Sequence, residues 1–382
     1  MKKRVTILCG ARSTEHEVSL VSAYNIVNAI DRDKYEVSVV GISKEGEWRQ
    51  YDPDNFVENG DMGVGHIVLS SNTISGRLAI RQCSNEFYDI DNNRIAVECD
   101  VIFPAVLGAY AEDGTMQGLL RMMDIPFTTP DVLGSAVGMD KDVAYRLLRD
   151  AGINIANFIT LRKNYPVPTF EELAETLGTT MIFIKPSNAG SSVGVSKVTS
   201  QTELDKALKL AFAYDVKVIA QAMVVGREIE ISVSGNFGNQ KTSLAGEIVE
   251  RDSSNFYSYE NKYVNISNVE LHVPADITNE LQEKISKIAI QVCETLECEG
   301  FGRVDFFVDH QENVYVNEIN TMPGFTNASM FPRLWGASGV NYSDLISWLI
   351  ELAMERQDYR VAPIVTDAED IKRAANETVA RF

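Results

Sequence analysis

The sequence predicts a multidomain chain that opens as an α/β domain on a parallel sheet and continues through two α+β segments. Three observations predict it. Strand-like and helical runs alternate at the start. Beyond Arg227 the chain turns to successive strands with long helices between them. At 382 residues it is also longer than one hydrophobic core usually serves.

Val5–Cys9 reads as a strand, Gly10–Ser13 as a turn, and Thr14 onward as a helix whose capping box is completed by Glu17. Tyr35–Ile42 is the second strand, which makes a β-α-β unit. Val101–Val106 is a buried-type strand that runs into Gly108–Gly114 and then a helix from about Met116. Residues 50–100 are polar, with short strand-like pieces such as Glu86–Ile90, and read as an insertion. The first domain is drawn as residues 1–127. A helix over Lys141–Ala151, strands at Phe158–Leu161, Met181–Lys185 and Lys217–Gln221, and a helix over Glu203–Ala211 make a central domain, 128–221. The third, 222–382, holds strands at Glu228–Ser234, Ser243–Val249, Arg303–Val308 and Val314–Ile319. Its long helices are Ile277–Glu294 and Tyr342–Gln357, and the last dozen residues read as a frayed tail.

Composition narrows the function. With 45% apolar and 23% charged residues the chain is a folded globular protein. A net charge of −19 speaks against nucleic-acid or anionic-membrane binding, which wants a basic face, but leaves room for a nucleotide met by a few local lysines. Cys9, Cys83, Cys99, Cys293 and Cys298 form an odd set with no Cys-x-x-Cys, as reduced thiols do. The apolar run Val5–Cys9 is too short for a signal peptide, and no stretch approaches the roughly 20 residues of a membrane span. The expected location is the cytoplasm.

The most informative stretch runs from Arg303 to Asn320. It reads as two strands around a loop near His310–Asn313. Pairing about a centre between Gln311 and Glu312 sets Asp305 opposite Glu318 and Arg303 opposite Asn320, all on one face. Opposed carboxylates repel, and a cation removes that penalty. Two carboxylates and an amide oxygen are hard ligands suited to Mg²⁺ beside phosphates. A solvated hairpin face would carry similar charges, but Arg303 shares this face and Asn320 leads into Thr321-Met-Pro-Gly324. The four histidines show no zinc spacing.

Met181 to Gly194 is a strand followed by a Gly/Ser loop, whose backbone N–H groups can approach phosphates while Lys185 supplies charge. P-loop and Rossmann patterns are absent. Lys141 heads a helix, and Lys262 lies in an aromatic loop; a lysine in either setting, taken singly, is more often a surface residue than a ligand. Glu228 follows Gly226-Arg227 on a strand and could hold ribose hydroxyls. Glu15 sits in the first helical turn at the carboxyl end of the first strand, where open α/β sheets bind ligands, although the helix dipole alone would favour an acid there. The next such end carries Glu112-Asp-Gly-Thr115.

With these motifs in order, the chain resembles the D-alanine:D-alanine ligase family of ATP-grasp enzymes over nearly its whole length. The likeness rests on Glu15-His-Glu-Val-Ser19, Glu112 to Gly118, Met139-Asp-Lys141 and Lys185-Pro to Gly194. It continues through Tyr257–Tyr263, Gly302-Arg-Val-Asp305 and Asn317 to Thr326, and the insertion looks like the larger form. The resemblance implies a three-domain ATP-grasp architecture that makes D-alanyl-D-alanine for peptidoglycan through an acyl phosphate. ATP would lie between the central and C-terminal domains. Lys141, Lys185 and Lys262 would meet its phosphates, Glu228 the ribose, and Gln221, Ala222 and Val224 the adenine. Asp305, Glu318 and Asn320 would hold two Mg²⁺, with Mn²⁺ as a substitute. Glu15, in a trio with Ser191 and Tyr263, would take the first ammonium; Ser329 and Met330 would meet the second D-alanine. Arg303 and the Gly324 N–H would polarise the acyl carbon, and the Tyr257–Tyr263 loop could close as a lid. The expected assembly is a homodimer.

Two positions depart from the family pattern: Leu107 stands where a histidine is usual before the glycine, and Gln221 where glutamate is common. Alternatives are a sister ligase using D-lactate or D-serine second, a catalytically weakened nucleotide-binding relative, or a kinase that stops at phosphorylation. Product analysis and D-alanine-dependent phosphate release would separate them.

Overall fold

In a computed structural model, residues 2–81, 84–190, 193–250 and 269–359 are described. The chain begins with β1 (Lys3–Gly10), α1 (His16–Ala29), β2 (Tyr35–Ile42) and β3 (Trp48–Tyr51). The insertion follows as β4 (Val57–Glu58), β5 (Val68–Leu69), β6 (Leu78–Ile80), β7 (Glu86–Asp89) and β8 (Arg94–Glu98), before β9 (Val101–Pro104) and α2 (Thr115–Met123). The first sheet runs β3-β2-β1-β9, with β1 parallel to both neighbours. Val5, Ile7, Leu8 and Cys9 are fully buried, as expected for a parallel strand covered on both faces. The expected capping box does not form: α1 starts at His16 with Glu15 at its N-cap. The Ser13 hydroxyl accepts the Glu15 N–H instead, and Glu17 pairs with Lys44. The insertion is more ordered than its polar composition suggested, holding a β4–β5 ribbon and a β6-β7-β8 sheet.

Next come α3 (Val132–Met139), α4 (Lys141–Asp150), β10 (Phe158–Arg162), α5 (Phe170–Leu177), β11 (Ile182–Pro186), β12 (Ser196–Val198), α6 (Gln201–Tyr214) and β13 (Lys217–Ala222). The four strands form an antiparallel sheet, β10-β13-β11-β12.

The remaining elements are β14 (Arg227–Gly235), β15 (Lys241–Thr242), β16 (Gly246–Glu250), β17 (Val269–His272), α7 (Asn279–Thr295), β18 (Gly300–Val308), β19 (Val314–Asn320), α8 (Met330–Ala337) and α9 (Tyr342–Tyr359). Their sheet is ordered β17-β16-β14-β18-β19, all antiparallel. The strand expected over Ser243–Val249 begins only at Gly246, because the Ser243 hydroxyl takes the Ser232 N–H across the turn.

The two ends of the chain share one core. Ile7, Leu20 and Phe103 pack with Phe325, Phe331 and Leu349, and the Phe103 and Phe325 rings meet edge to face at 5.4 Å. Cys9, Cys99, Cys293 and Cys298 are buried free thiols; Cys83 and the tail beyond residue 359 lie outside the described residues. Among the described residues no helix is long and apolar enough to cross a membrane.

Candidate active site

The hairpin pairs as expected at its ligand end: Asp305 opposes Glu318 and Arg303 opposes Asn320. Nearer the turn the register slips by one, so that Phe306 faces Val316 and Asn317 is the extra residue of a β-bulge. On the other side of β18, Glu230 opposes Asp305 and Ser232 opposes Arg303. Three carboxylates, Glu230, Asp305 and Glu318, therefore stand in one row across β14, β18 and β19.

Three like charges in a row repel unless cations separate them. Arg303 provides one, donating from Nε and Nη2 to both Asp305 oxygens at 2.7 Å. Its Nε lies 3.0 Å from Glu230, whose side chain is 2% exposed. Burial works against the guanidinium charge, but Asp305 and Glu230 outweigh it and raise its pKa. Lys141 is the second cation, with Nζ 3.0 Å from Glu318 Oε2 and donating to the Ala189 carbonyl at 3.0 Å. A divalent ion is thus not the sole relief for these charges, as the hairpin alone suggested.

Lys185 sits beside this row. Its Nζ donates to Gln221 Oε1 at 2.8 Å and to Asn317 Oδ1 at 3.2 Å. Burial, only partly offset by Glu318, lowers its pKa to about 8. Gln221 thus turns its amide oxygen to a lysine. The bulge residue Asn317 also accepts the Tyr145 hydroxyl through its carbonyl, at 2.7 Å. Asp140, the N-cap of α4, accepts the Ser187 hydroxyl at 2.8 Å and pairs with Lys217, fixing the helix of Lys141 against the base of the Gly/Ser loop.

Glu15 faces the row from the first sheet. At Gly108 (φ +86°) an added Cβ would stand 2.8 Å from a Glu15 carboxylate oxygen, so glycine allows this approach. The Gly108 N–H donates to Glu112 at 3.0 Å. Burial first, and then the charge of Glu15, push the Glu112 pKa up to about 8. Glu112 therefore holds its proton at neutral pH far more readily than a free carboxyl does.

A cavity of about 790 Å³ joins these groups. Glu15, Lys141, Arg303, Glu318, Asn320, Gly324, Ser329 and Met330 line it. Lys185, Gln221, Ala222, Val224, Glu228 and the buried Asp305 are not in its wall. Glu228 lies on β14 two residues before Glu230. Ser329 approaches Gly324 closely, its Oγ accepting the Thr326 N–H at 3.0 Å. Ser191, Lys262, Tyr263 and the Tyr257–Tyr263 loop lie outside the described residues.

Among the described residues no cluster of three His, Cys, Asp or Glu side chains could hold a metal. The donor set is instead two carboxylates and an amide, Asp305, Glu318 and Asn320. It suits a hard cation, since a carboxylate bonded to arginine or lysine keeps lone pairs for a metal. Glu230 and Glu112 were not assigned from sequence. Glu230 could have been found by period two, since Glu228 and Glu230 share one face of a strand.

Residues 4–130 match the family model described as D-ala D-ala ligase N-terminus, and residues 147–351 match D-ala D-ala ligase C-terminus. The chain is 49% identical over 356 residues to D-alanine–D-alanine ligase A of Salmonella typhimurium, covering 93% of this chain and 96% of that one. Its structure is similar to the D-alanine–D-alanine ligase of Coxiella burnetii, with a TM-score of 0.78, 34% identity and coverage of 99% and 100%. It is also similar to the VanG D-Ala:D-Ser ligase of Enterococcus faecalis, with a TM-score of 0.79, 32% identity and coverage of 92% and 100%.

Proposed function

The chain belongs to the D-alanine–D-alanine ligase family, and from that premise we propose how its own residues join two D-alanines at the expense of ATP. The observation that carries this reading is the shared cavity, in which Arg303, Glu318 and Lys141 face Glu15 at one end and Ser329 at the other. The product, D-alanyl-D-alanine, is a peptidoglycan precursor.

Glu15 holds the ammonium of the first D-alanine, aided by Ser191 and Tyr263. A carboxylate is a poor electrophile, so its oxygen attacks the γ-phosphorus, the bond to ADP breaks, and an acyl phosphate forms. Lys141, Lys185 and Lys262 oppose the phosphate charge. Glu228 takes the ribose, and Gln221, Ala222 and Val224 the adenine. Asp305, Glu318 and Asn320 hold Mg²⁺, which supplies further positive charge against the phosphoryl group. The second D-alanine, seated by Ser329 and Met330, attacks the acyl carbon with its neutral amine and expels phosphate. Arg303 and the Gly324 N–H stabilise the oxyanion that develops there. Arg303 can do so while paired, because its Nη1 donors are not used in the bonds to Asp305 and Glu230.

The strand ending at Ala222 and the one starting at Arg227 belong to different sheets. That supports the second boundary of the proposed division 1–127, 128–221 and 222–382, with Ala222 still on the central sheet. Free buried thiols fit a cytoplasmic location, and a homodimer is the proposed assembly. D-serine as second substrate is the runner-up reading, favoured by the likeness to VanG.

The test is an assay of phosphate release with D-alanine alone and with D-serine or D-lactate added, products resolved by mass. The expected result is D-alanine-dependent phosphate release with an equal amount of D-alanyl-D-alanine. Phosphate without dipeptide would contradict it, and a D-alanyl-D-serine majority would favour the runner-up.

A further inference from the structure

The cavity extends from Glu15 along α1 to the insertion. Its floor is one stripe of α1: Val18, Val21, Asn25 and Asn28, at helical spacings of three and four, continue from Glu15. From Glu15 to Asn28 the stripe runs about 20 Å at 1.5 Å per residue. Asn25 brings the stripe to the second substrate's end, since its amide donates to the Phe325 carbonyl at 3.2 Å, between Gly324 and Ser329.

The outer end is walled by the insertion, residues 60–64 at the tip of the β4–β5 ribbon. Phe56 and Ile67, each 1% exposed, root the two arms in the first core. The tip is fastened to α1. The Tyr24 hydroxyl donates to Asp61 at 2.8 Å. The Gly60 backbone lies so close to the Tyr24 ring that an added Cβ would fall 2.5 Å from it. Met62 and Val64 remain 59% and 41% exposed, and both line the cavity. An anchored loop that presents bare apolar side chains to the substrate cavity calls for an apolar occupant.

We infer that residues 60–64 form the outer wall of the acceptor amino-acid pocket and set the size of side chain the second substrate can carry, with Met62 as the contact and the Tyr24–Asp61 hydrogen bond as its fastening. The inference rests on the ligase reading above. Donor selection is separate, because the donor sits at the Glu15 end of the stripe.

The test is competition between D-alanine and D-2-aminobutyrate, one methylene larger, with mixed dipeptides resolved by residue order. In Met62→Ala and in Tyr24→Phe, the yield of D-alanyl-D-2-aminobutyrate relative to D-alanyl-D-alanine should rise about three- to tenfold over wild type. Dipeptides carrying D-2-aminobutyrate first should keep their wild-type share. Unchanged selectivity, or an equal shift at both positions, would overturn the inference. Met62 lies on an exposed tip and Tyr24→Phe removes one oxygen, so thermal melting should match wild type in both. If wild type forms no dipeptide at all, the ligase reading itself fails and takes this inference with it.

Discussion

Lys185 is buried against two neutral oxygens, those of Gln221 and Asn317, which is why burial wins and its pKa falls to about 8. A lysine with a lowered pKa carries its charge below that value and loses it above. Nucleotide affinity of the free enzyme should therefore weaken as pH rises through 8, by up to about tenfold per unit, while Lys185→Arg stays flat over the same range. Calorimetric titration of ATP from pH 7 to 9.5 checks this; identical profiles for both proteins would remove Lys185 from the phosphate site. Much at this scale was legible. Asp305, Glu318 and Arg303 announced themselves by spacing on a hairpin, and Lys185 by its strand before a Gly/Ser loop. The partner of Gln221 was not, because it depends on β11 and β13 lying side by side, with Phe183 opposite Gln221. Glu112 was noticed only as part of a strand-end motif, since its raised pKa comes first from burial and then from Glu15, 97 positions earlier in the chain.

At the scale of elements, the row Glu230–Asp305–Glu318 spreads over three strands, and its members differ in how safely they can be changed. Asp305 is 2% exposed and bonds Arg303 twice. Its replacement by alanine would leave a buried guanidinium short of a partner, at about 3–5 kcal/mol, and lost turnover would then be ambiguous. Glu318 is the cleaner probe: its side chain is 26% exposed and pairs with Lys141. Glu318→Gln should lower turnover at least about 100-fold and change stability by no more than about 1 kcal/mol. Steady-state rates beside urea unfolding check both, and near-normal turnover would dismiss the metal role. Period-two alternation made the hairpin readable, but the Asn317 bulge leaves no mark in the pattern. Helix α3 was missed because Val132–Met139 has no polar face and two glycines that read as breakers. It exists because Gly134 and Gly138 let it press on the Glu297 carbonyl and Thr321. Helix α5 had a readable start in the Thr169–Glu172 capping box.

Across the whole molecule, the buried Arg356 near the end of the described chain ties the first segment to the last. Its guanidinium donates to the carbonyls of Phe127, Thr129 and Glu299. Arg356→Met should lower stability by about 3–5 kcal/mol, because several buried carbonyls lose their donor at once. It should also raise the KM for D-alanine more than that for ATP, since the joint it loosens carries Glu15 relative to Ser329. Unfolding curves and both KM values check this; unchanged stability would mean the joint is held by the shared aromatic core alone. The order of segments was legible from alternating strands and helices. The meeting of their faces was not, for Phe103 and Phe325 pack together across more than 200 residues of sequence, and no local pattern encodes such a partner.

The central claim is that the oxygens of Asp305, Glu318 and Asn320 form a cation site beside the cavity. Crystals soaked with ATP and Mn²⁺, measured at the manganese absorption edge, test it most directly. The account predicts an anomalous peak within bonding distance of all three side chains. A peak elsewhere, beyond bonding distance of these side chains, would contradict it.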